Sequence, residues 1–505
     1  MRVNFVAEHG YTMPIVLDTG ETYRRFGVEG YDQDRDKIEL QSKAQSKRSY
    51  PTPLIFSRAN IMASVPNILF LLTDNQRNDL LGCAGNPIIQ TPNIDRLAAN
   101  GVRFANAFCT SPICAASRAS YLTGVYESRH RFTFLTPPLQ SAFTDSSYPA
   151  ALKRAGYRTG LIGKFGIAAK GIDPSLADEG AIGKMFDAFD NYEHWTEDGY
   201  EIRQPDGHVR HLTDITGDKT IDFLRTHSSQ PFCLSVSFNA PHAQDNDPRH
   251  YIWPAAEDPL YADAKIPEPL NAHPDFFRRL PKFLRETESR VRWQARYATP
   301  ADYQRNMRGL YRMVSGVDRN IGRILTALDQ LSLAANTIVI FASDHGMYYG
   351  DRGLSDCWQL NEQSIRIPLI VFDPRADEGN RGVVREEMAL NIDVSPTILE
   401  LAGLDAADGM QGKSLVPLLR GKEVEWRKAF FCEHRFNRAD IPKSEGVRTQ
   451  RWKYIRYYEQ QPVYEELYDL LADPHESCNL TADLKFAAQL ARLRRRCDAM
   501  HIECA

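Results

Sequence analysis

No apolar run in this chain approaches the roughly 20 residues needed to span a bilayer, and its first residues lack the basic stretch, apolar core and small-residue cleavage site of a secretory leader. The expectation is a cytoplasmic protein with no membrane partner. Cysteine is thinly spread: nine along 505 residues, an odd number with no C-x-x-C pair, which argues against a disulfide framework or a zinc site. Neither charge sign dominates. A formal net charge of −4 leaves no broad basic surface, so nucleic acid is not an expected partner, and an anionic substrate would depend on local cations. Hydrophobic (43%) and charged (25%) content are ordinary for a globular protein, and the length suits a large α/β domain with a smaller one beside it.

Residues 1–62 stand apart. They are polar and charged, as in Asp34-Arg35-Asp36-Lys37 and Gln41 to Arg48; such composition predicts an extension without a core, disordered or not native, with the true start at Met62. Beyond it, Ile68 to Thr73 is a continuous apolar run ending in Asp74, and Thr337 to Ser343 repeats the pattern before Asp344. These read as buried parallel strands that deliver acids to one sheet edge. Phe232 to Phe238 reads as a third, ending before Asn239-Ala240-Pro241-His242. Helical spacing marks Pro92 to Asn100, Tyr303 to Leu331 and Val394 to Leu401. The stretch 243–302, rich in Pro, aromatics and Arg, predicts an irregular pocket wall. A boundary near 425 separates a sheet-and-helix domain (63–425) from a segment (426–505) with short strands at Ala429 to Glu433, Gly446 to Gln450 and Trp452 to Tyr458. A basic helix follows at Ala482 to Met500, its arginines read as a solvated face.

The segment Cys114-Ala-Ala-Ser-Arg118-Ala-Ser-Tyr-Leu-Thr-Gly124 carries the chemistry. A lone cysteine usually just packs, but an arginine four residues on shares its helix face. Together with Asn67 to Asp74, Thr91-Pro92-Asn93-Ile94-Asp95-Arg96-Leu97 and Ser343-Asp344-His345-Gly346, in that order and at similar separations, the chain resembles the type I sulfatases from about Pro66 to its C-terminus. The resemblance implies an alkaline-phosphatase-like α/β fold, with a large mixed, mostly parallel sheet flanked by helices and a small C-terminal α+β subdomain. It also implies that a formylglycine-generating enzyme oxidises Cys114 to formylglycine (3-oxoalanine), whose hydrate is the nucleophile of sulfate-ester hydrolysis.

By the same resemblance Asp74, Asn75, Cys114, Asp344 and His345 hold one divalent cation. Carboxylate oxygens favour Ca²⁺, the imidazole brings in a transition ion such as Mn²⁺, and Mg²⁺ is a further alternative. Arg118 anchors the nucleophile, Lys164 contacts sulfate, and His242 contacts sulfate and serves as general acid, a task suited to an imidazole near neutral pH. His130 lines the pocket. Four positions depart from the family pattern: Asn75 replaces an Asp, His345 an Asn, Gly166 a His, and Cys357 a sulfate-binding Lys. A thiol with an ordinary pKa of ~8.5 is mostly neutral at pH 7, so the expectation is a slow enzyme or a different ester, with Arg352 or a loop residue supplying the missing charge. The substrate implied is a sulfated sugar. The alternatives are a phosphonate monoester or phosphodiester hydrolase of the same fold, which Asn75 and His345 favour, and a degenerate non-catalytic binder of sulfated ligands.

Overall fold

Strands whose two faces are both buried carry near-continuous apolar runs, and Asn67–Thr73 and Thr337–Ser343 are apolar between polar ends, with every residue of both buried. They lie side by side, parallel, at the centre of an eight-stranded sheet in a computed structural model that describes residues 2–6, 12–16, 65–134, 137–168, 180–194 and 199–505. Across the sheet the order is Val383–Arg385, Val102–Phe104, Leu369–Phe372, Thr337–Ser343, Asn67–Thr73, Phe232–Ser237, Arg158–Gly163 and Ala188–Asn191. Only Leu369–Phe372 runs against the rest. Helices flank this mixed, mostly parallel sheet, and a small antiparallel sheet follows it near the C-terminus, as expected.

The helix Pro92–Asn100 explains the Thr-Pro-Asn-Ile-Asp motif. Asp318, 2% exposed, accepts from the backbone N–H groups of Asn93 (3.0 Å) and Ile94 (2.7 Å), satisfying donors that a helix start leaves without partners. Thr91 and Asp95 in turn accept from the backbone of Gly82 and Cys83. The long helix runs Pro300–Gln330 and begins earlier than its apolar stripe, because Thr299 caps the N–H of Asp302 and Pro300 fits the first turn. The stretch 243–302 differs from expectation: it carries helices at Pro274–Arg279, Lys282–Arg285 and Glu288–Tyr297.

The C-terminal sheet comprises Ala429–His434, Ser444–Thr449, Trp452–Tyr457 and a fourth strand, Tyr464–Asp469, that its charged sequence hides. The last helix is Ala487–Cys504, starting after a short turn that Asp483 caps. Phe430, Phe431 and Leu493 share one apolar core with the main sheet. Among the described residues no helix is long and apolar enough to cross a membrane. At the N-terminus Arg2–Val6 and Thr12–Val16 form an antiparallel ladder; the rest of the expectation for 1–62 lies outside the described residues.

Candidate active site

Because the central strands pair Thr73 with Ser343, the residues that follow, Asp74 and Asp344, emerge together at the C-terminal edge of the sheet. Asn75 turns there with φ of 65°, a conformation asparagine tolerates better than most residues. Its N–H donates to Asp344 Oδ1 (3.0 Å), and its side-chain Nδ2 faces Met347 Sδ, leaving Oδ1 toward Cys114.

The helix Cys114–Thr123 is bolted to this edge along one face. Ser117 Oγ donates to the Asp344 carbonyl (2.5 Å), Arg118 Nε to Asp344 Oδ2 (2.9 Å), and Tyr121 OH to the Ser343 carbonyl (2.9 Å). The spacing i, i+3, i+4, i+7 that includes Cys114 is thus the imprint of one helical face on the carboxylate edge. Cys114 Sγ sits 3.2 Å from His345 Nε2, 3.4 Å from Asp74 Oδ1 and 3.8 Å from Asn75 Oδ1. Ligand atoms of Asp74, Cys114, Asp344 and His345 all lie within 4.8 Å of one another.

Two cations close the other side. Lys164 Nζ donates to Asp74 Oδ2 (2.5 Å), and Arg118 reaches the same oxygen at 3.5 Å while donating to the Lys164 carbonyl and Ser237 Oγ. Glycine is required at two neighbouring points. A Cβ at Gly163, where φ is 98°, would strike the Ser237 carbonyl, and one at Gly166 would press to 3.0 Å on Arg118 Cδ. The glycine in place of the family histidine therefore makes room for Arg118.

Asp74 and His345 are fully buried, and their titration follows from their neighbours. Burial alone would raise Asp74, but Lys164, ahead of His242 and Arg118, holds it well below the usual carboxylate range. Burial and the Asp74 carboxylate push the Cys114 thiol up. Burial would lower His345, but the Cys357 sulfur and the Asp344 carboxylate beside it bring it up to about 10. The Nδ1 of His345 faces the Gly346 carbonyl at 2.8 Å, an acceptor, so Nδ1 carries a proton and Nε2 is the nitrogen turned to the cluster.

Two carboxylates, an amide oxygen and an imidazole nitrogen suit a divalent cation. His242 follows the strand Phe232–Ser237, buried beside Asp74, and burial brings its pKa down to about 4. Cys357 lies against His345 in an apolar pocket with Ile113, Ala116, Trp358 and Ile441, and burial pushes its thiol up to about 12. Two expected residues are not brought to the cluster. His130 is held between Ser120 Oγ (3.1 Å) and the N–H of Phe132 (3.1 Å), bracing the Cys114 helix from behind. Arg352 turns to the C-terminal sheet, donating to Tyr468 OH (3.1 Å) and lying 3.6 Å from Glu466, so its charge is already matched. Sequence inspection gave no role to Ser117, Ser237, Asn239 and His194, polar residues that fix the candidate site residues in place.

The sulfatase family model matches residues 66–404, and a model described as N-sulphoglucosamine sulphohydrolase, C-terminal, matches 350–503. The chain is 28% identical to an N-acetylglucosamine-6-O-sulfatase of Bacteroides thetaiotaomicron over 85% of each chain. It is equally similar, at 28%, to an arylsulfatase of Clostridium perfringens, covering 85% of this chain and 93% of that one. Among solved structures it resembles an enzyme in complex with its substrate D-glucosamine-2-N,6-O-disulfate, with a TM-score of 0.74 and 26% identity over 87% of this chain and 99% of the other. It also resembles the phosphonate monoester hydrolase of Agrobacterium radiobacter, with a TM-score of 0.68 and 25% identity over 87% and 96%. With the family model spanning both acid-bearing strands and the Cys114 helix between them, the chain belongs to the sulfatase family of hydrolases.

Proposed function

We propose that the protein hydrolyses the sulfate ester of a sugar, using formylglycine formed from Cys114 and one divalent cation. The observation that carries this reading is the convergence on Cys114 of Asp74, Asp344 and His345, with Lys164 and Arg118 behind them. The aldehyde hydrate would supply the nucleophile, and Asp74, Asn75, Asp344 and His345 would hold the cation, which would offset negative charge on the sulfuryl oxygens.

The chain's own residues do the rest. Lys164 and Arg118 hold Asp74 ionised and bring positive charge to the site of an incoming anion. Arg118, through Asp344 and Ser237, fixes the N-terminal turn of the helix that carries residue 114. His242 enters neutral, and an anionic ester beside it would favour its protonated form and make it a donor to the leaving oxygen. The named relatives that act on sulfated glucosamine support the sugar as substrate.

A second reading, phosphonate monoester hydrolysis, is favoured by Asn75 and His345 and by the similarity to the Agrobacterium enzyme. Turnover of an aryl sulfate, glucosamine 6-O-sulfate and an aryl phosphonate monoester by protein carrying the aldehyde separates the two. Faster hydrolysis of the sulfates is expected, and a clear phosphonate preference would reverse the assignment.

A further inference from the structure

Behind His242 lies a second, fully buried histidine that no motif includes. His194 Nε2 is 3.1 Å from His242 Nδ1, and both rings are nearly without exposure. Hydrogen bonds to described residues place the protons on the two Nδ1 atoms. Asn239 Nδ2 donates to the Tyr192 carbonyl (3.2 Å), so Asn239 Oδ1 faces His194, where it accepts from the backbone N–H (3.1 Å) and from ring Nδ1–H (3.2 Å). With its one ring proton on Nδ1, a neutral His194 presents a lone pair at Nε2. His242 Nδ1 also lies 2.6 Å from the Ala243 carbonyl, which can only accept. The proton on that nitrogen is therefore shared between Ala243 O and His194 Nε2.

The assembly is held rigidly. Tyr200, fully buried, stacks on His194 at 5.0 Å and 18°, stacks on His211 on its other side at 5.2 Å and 9°, and donates its OH to the carbonyls of Asn239 and His242 (2.8 Å each). We infer that His194 is a positioning residue: it and Asn239 lock His242 with its proton on Nδ1, so that Nε2 is the nitrogen that takes up the proton later given to the leaving oxygen. The logic is that of any histidine whose tautomer is set by the partner of its other nitrogen. A ring free to flip would turn Nδ1 toward the ester in place of Nε2.

The inference rests on the reading of this site as the hydrolytic centre only for its kinetic part, so the test has two arms on the full chain. The first is the imidazole ¹⁵N spectrum of wild type, H194L and H194Q, with His242 assigned by its loss in H242Q. Wild type is expected to show His242 protonated on Nδ1, H194L a mixture of tautomers, and H194Q, which keeps an acceptor, the wild-type form. The second arm is steady-state turnover of the best ester. H194L is expected to lose about 10- to 100-fold in kcat with KM within about threefold, the size typical of removing an orienting partner, and H194Q to recover most of it. A His242 protonated on Nε2 in wild type, an unchanged kcat in H194L, or a H194Q variant as impaired as H194L would each overturn the inference. A wild-type protein that turns over no ester would fail the functional reading instead, and the spectra would still decide the role of His194.

Discussion

Replacing Arg118 with lysine keeps the positive charge and removes the fork, which makes it the sharpest probe of how the site is built. Arg118 is 3% exposed and donates in three directions: Nε to Asp344 Oδ2 at 2.9 Å, and Nη1 to the Lys164 carbonyl at 2.7 Å and Ser237 Oγ at 2.5 Å. A lysine ammonium can take over the Asp344 contact but cannot also span the other two, because the planar guanidinium spreads its donors over an arc that a single nitrogen does not cover. The Lys164 carbonyl is then left buried without this donor, costing about 1–3 kcal/mol, and a charge-assisted bond to Ser237 worth about 1.5–3 kcal/mol is lost. R118K should thus be about 3–5 kcal/mol less stable than wild type. R118L should fare worse, because Asp344 loses its arginine and Asp74 keeps Lys164 but loses Arg118, and breaking a buried pair costs about 3–5 kcal/mol before any hydrogen bond is counted. The assay is equilibrium urea denaturation followed by tryptophan fluorescence, with chelator present so that no ion props the site. R118K within 1 kcal/mol of wild type, roughly a fivefold change in the folding equilibrium, would refute the claim that this arginine braces the sheet edge.

Cys357→Lys should lower stability by about 1–3 kcal/mol through overpacking and should lower kcat/KM, since Cys357 is 2% exposed among Ile113, Ala116, Trp358 and Ile441; thermal denaturation and turnover check it, and an equally stable, more active variant would contradict it. Chelation should abolish hydrolysis. Because His345 without a cation is brought up to about 10, ion binding must displace its proton, and metal affinity should rise with pH by about tenfold per unit below that value, a slope that His345→Asn should flatten in calorimetric titrations. Burial raises both Glu127 and Glu433, and the Glu433 carboxylate raises Glu127 further, so the folded protein binds protons that the unfolded chain has released, and stability should fall as pH rises above the ordinary glutamate range. Glu127→Gln should gain stability at pH 8 relative to wild type and flatten that decline, and a steeper decline in the variant would contradict the assignment.

What the residues disclosed in advance follows from which forces are local. The strands ending at Asp74 and Asp344 were legible because burial on both faces demands an unbroken apolar run, and the order of the strand-end acids follows directly. The strand Tyr464–Asp469 was not: its Glu466 is buried against Arg352, far away in sequence, and a charged residue reads as solvated until its partner is known. The helix Glu288–Tyr297 hid for the same reason, since Arg292 and Arg296 are held by Asp245 and Asp356 across the fold. At the site, motif residues stood out by spacing, because the Cys114 helix stamps its face onto Asp344. The residues that orient them carried no such mark. His194 sits in a loop with no periodicity, and only the folded chain brings it to His242. Arg352 misled for the converse reason: adjacency in sequence to Gly353-Leu354 suggested the pocket, but a left-handed backbone, φ 55°, and the acid on the C-terminal sheet turn it away.

The central claim is that Cys114 is the precursor of the nucleophile, and mass spectrometry of the tryptic peptide Phe104 to Arg118 from protein made in its native host tests it most directly. That peptide carries an internal control, since Cys109 is fully buried and lies outside the cluster. The account predicts an aldehyde at position 114 and an unchanged thiol at 109. An intact thiol at both positions in protein that still hydrolyses its ester would contradict it.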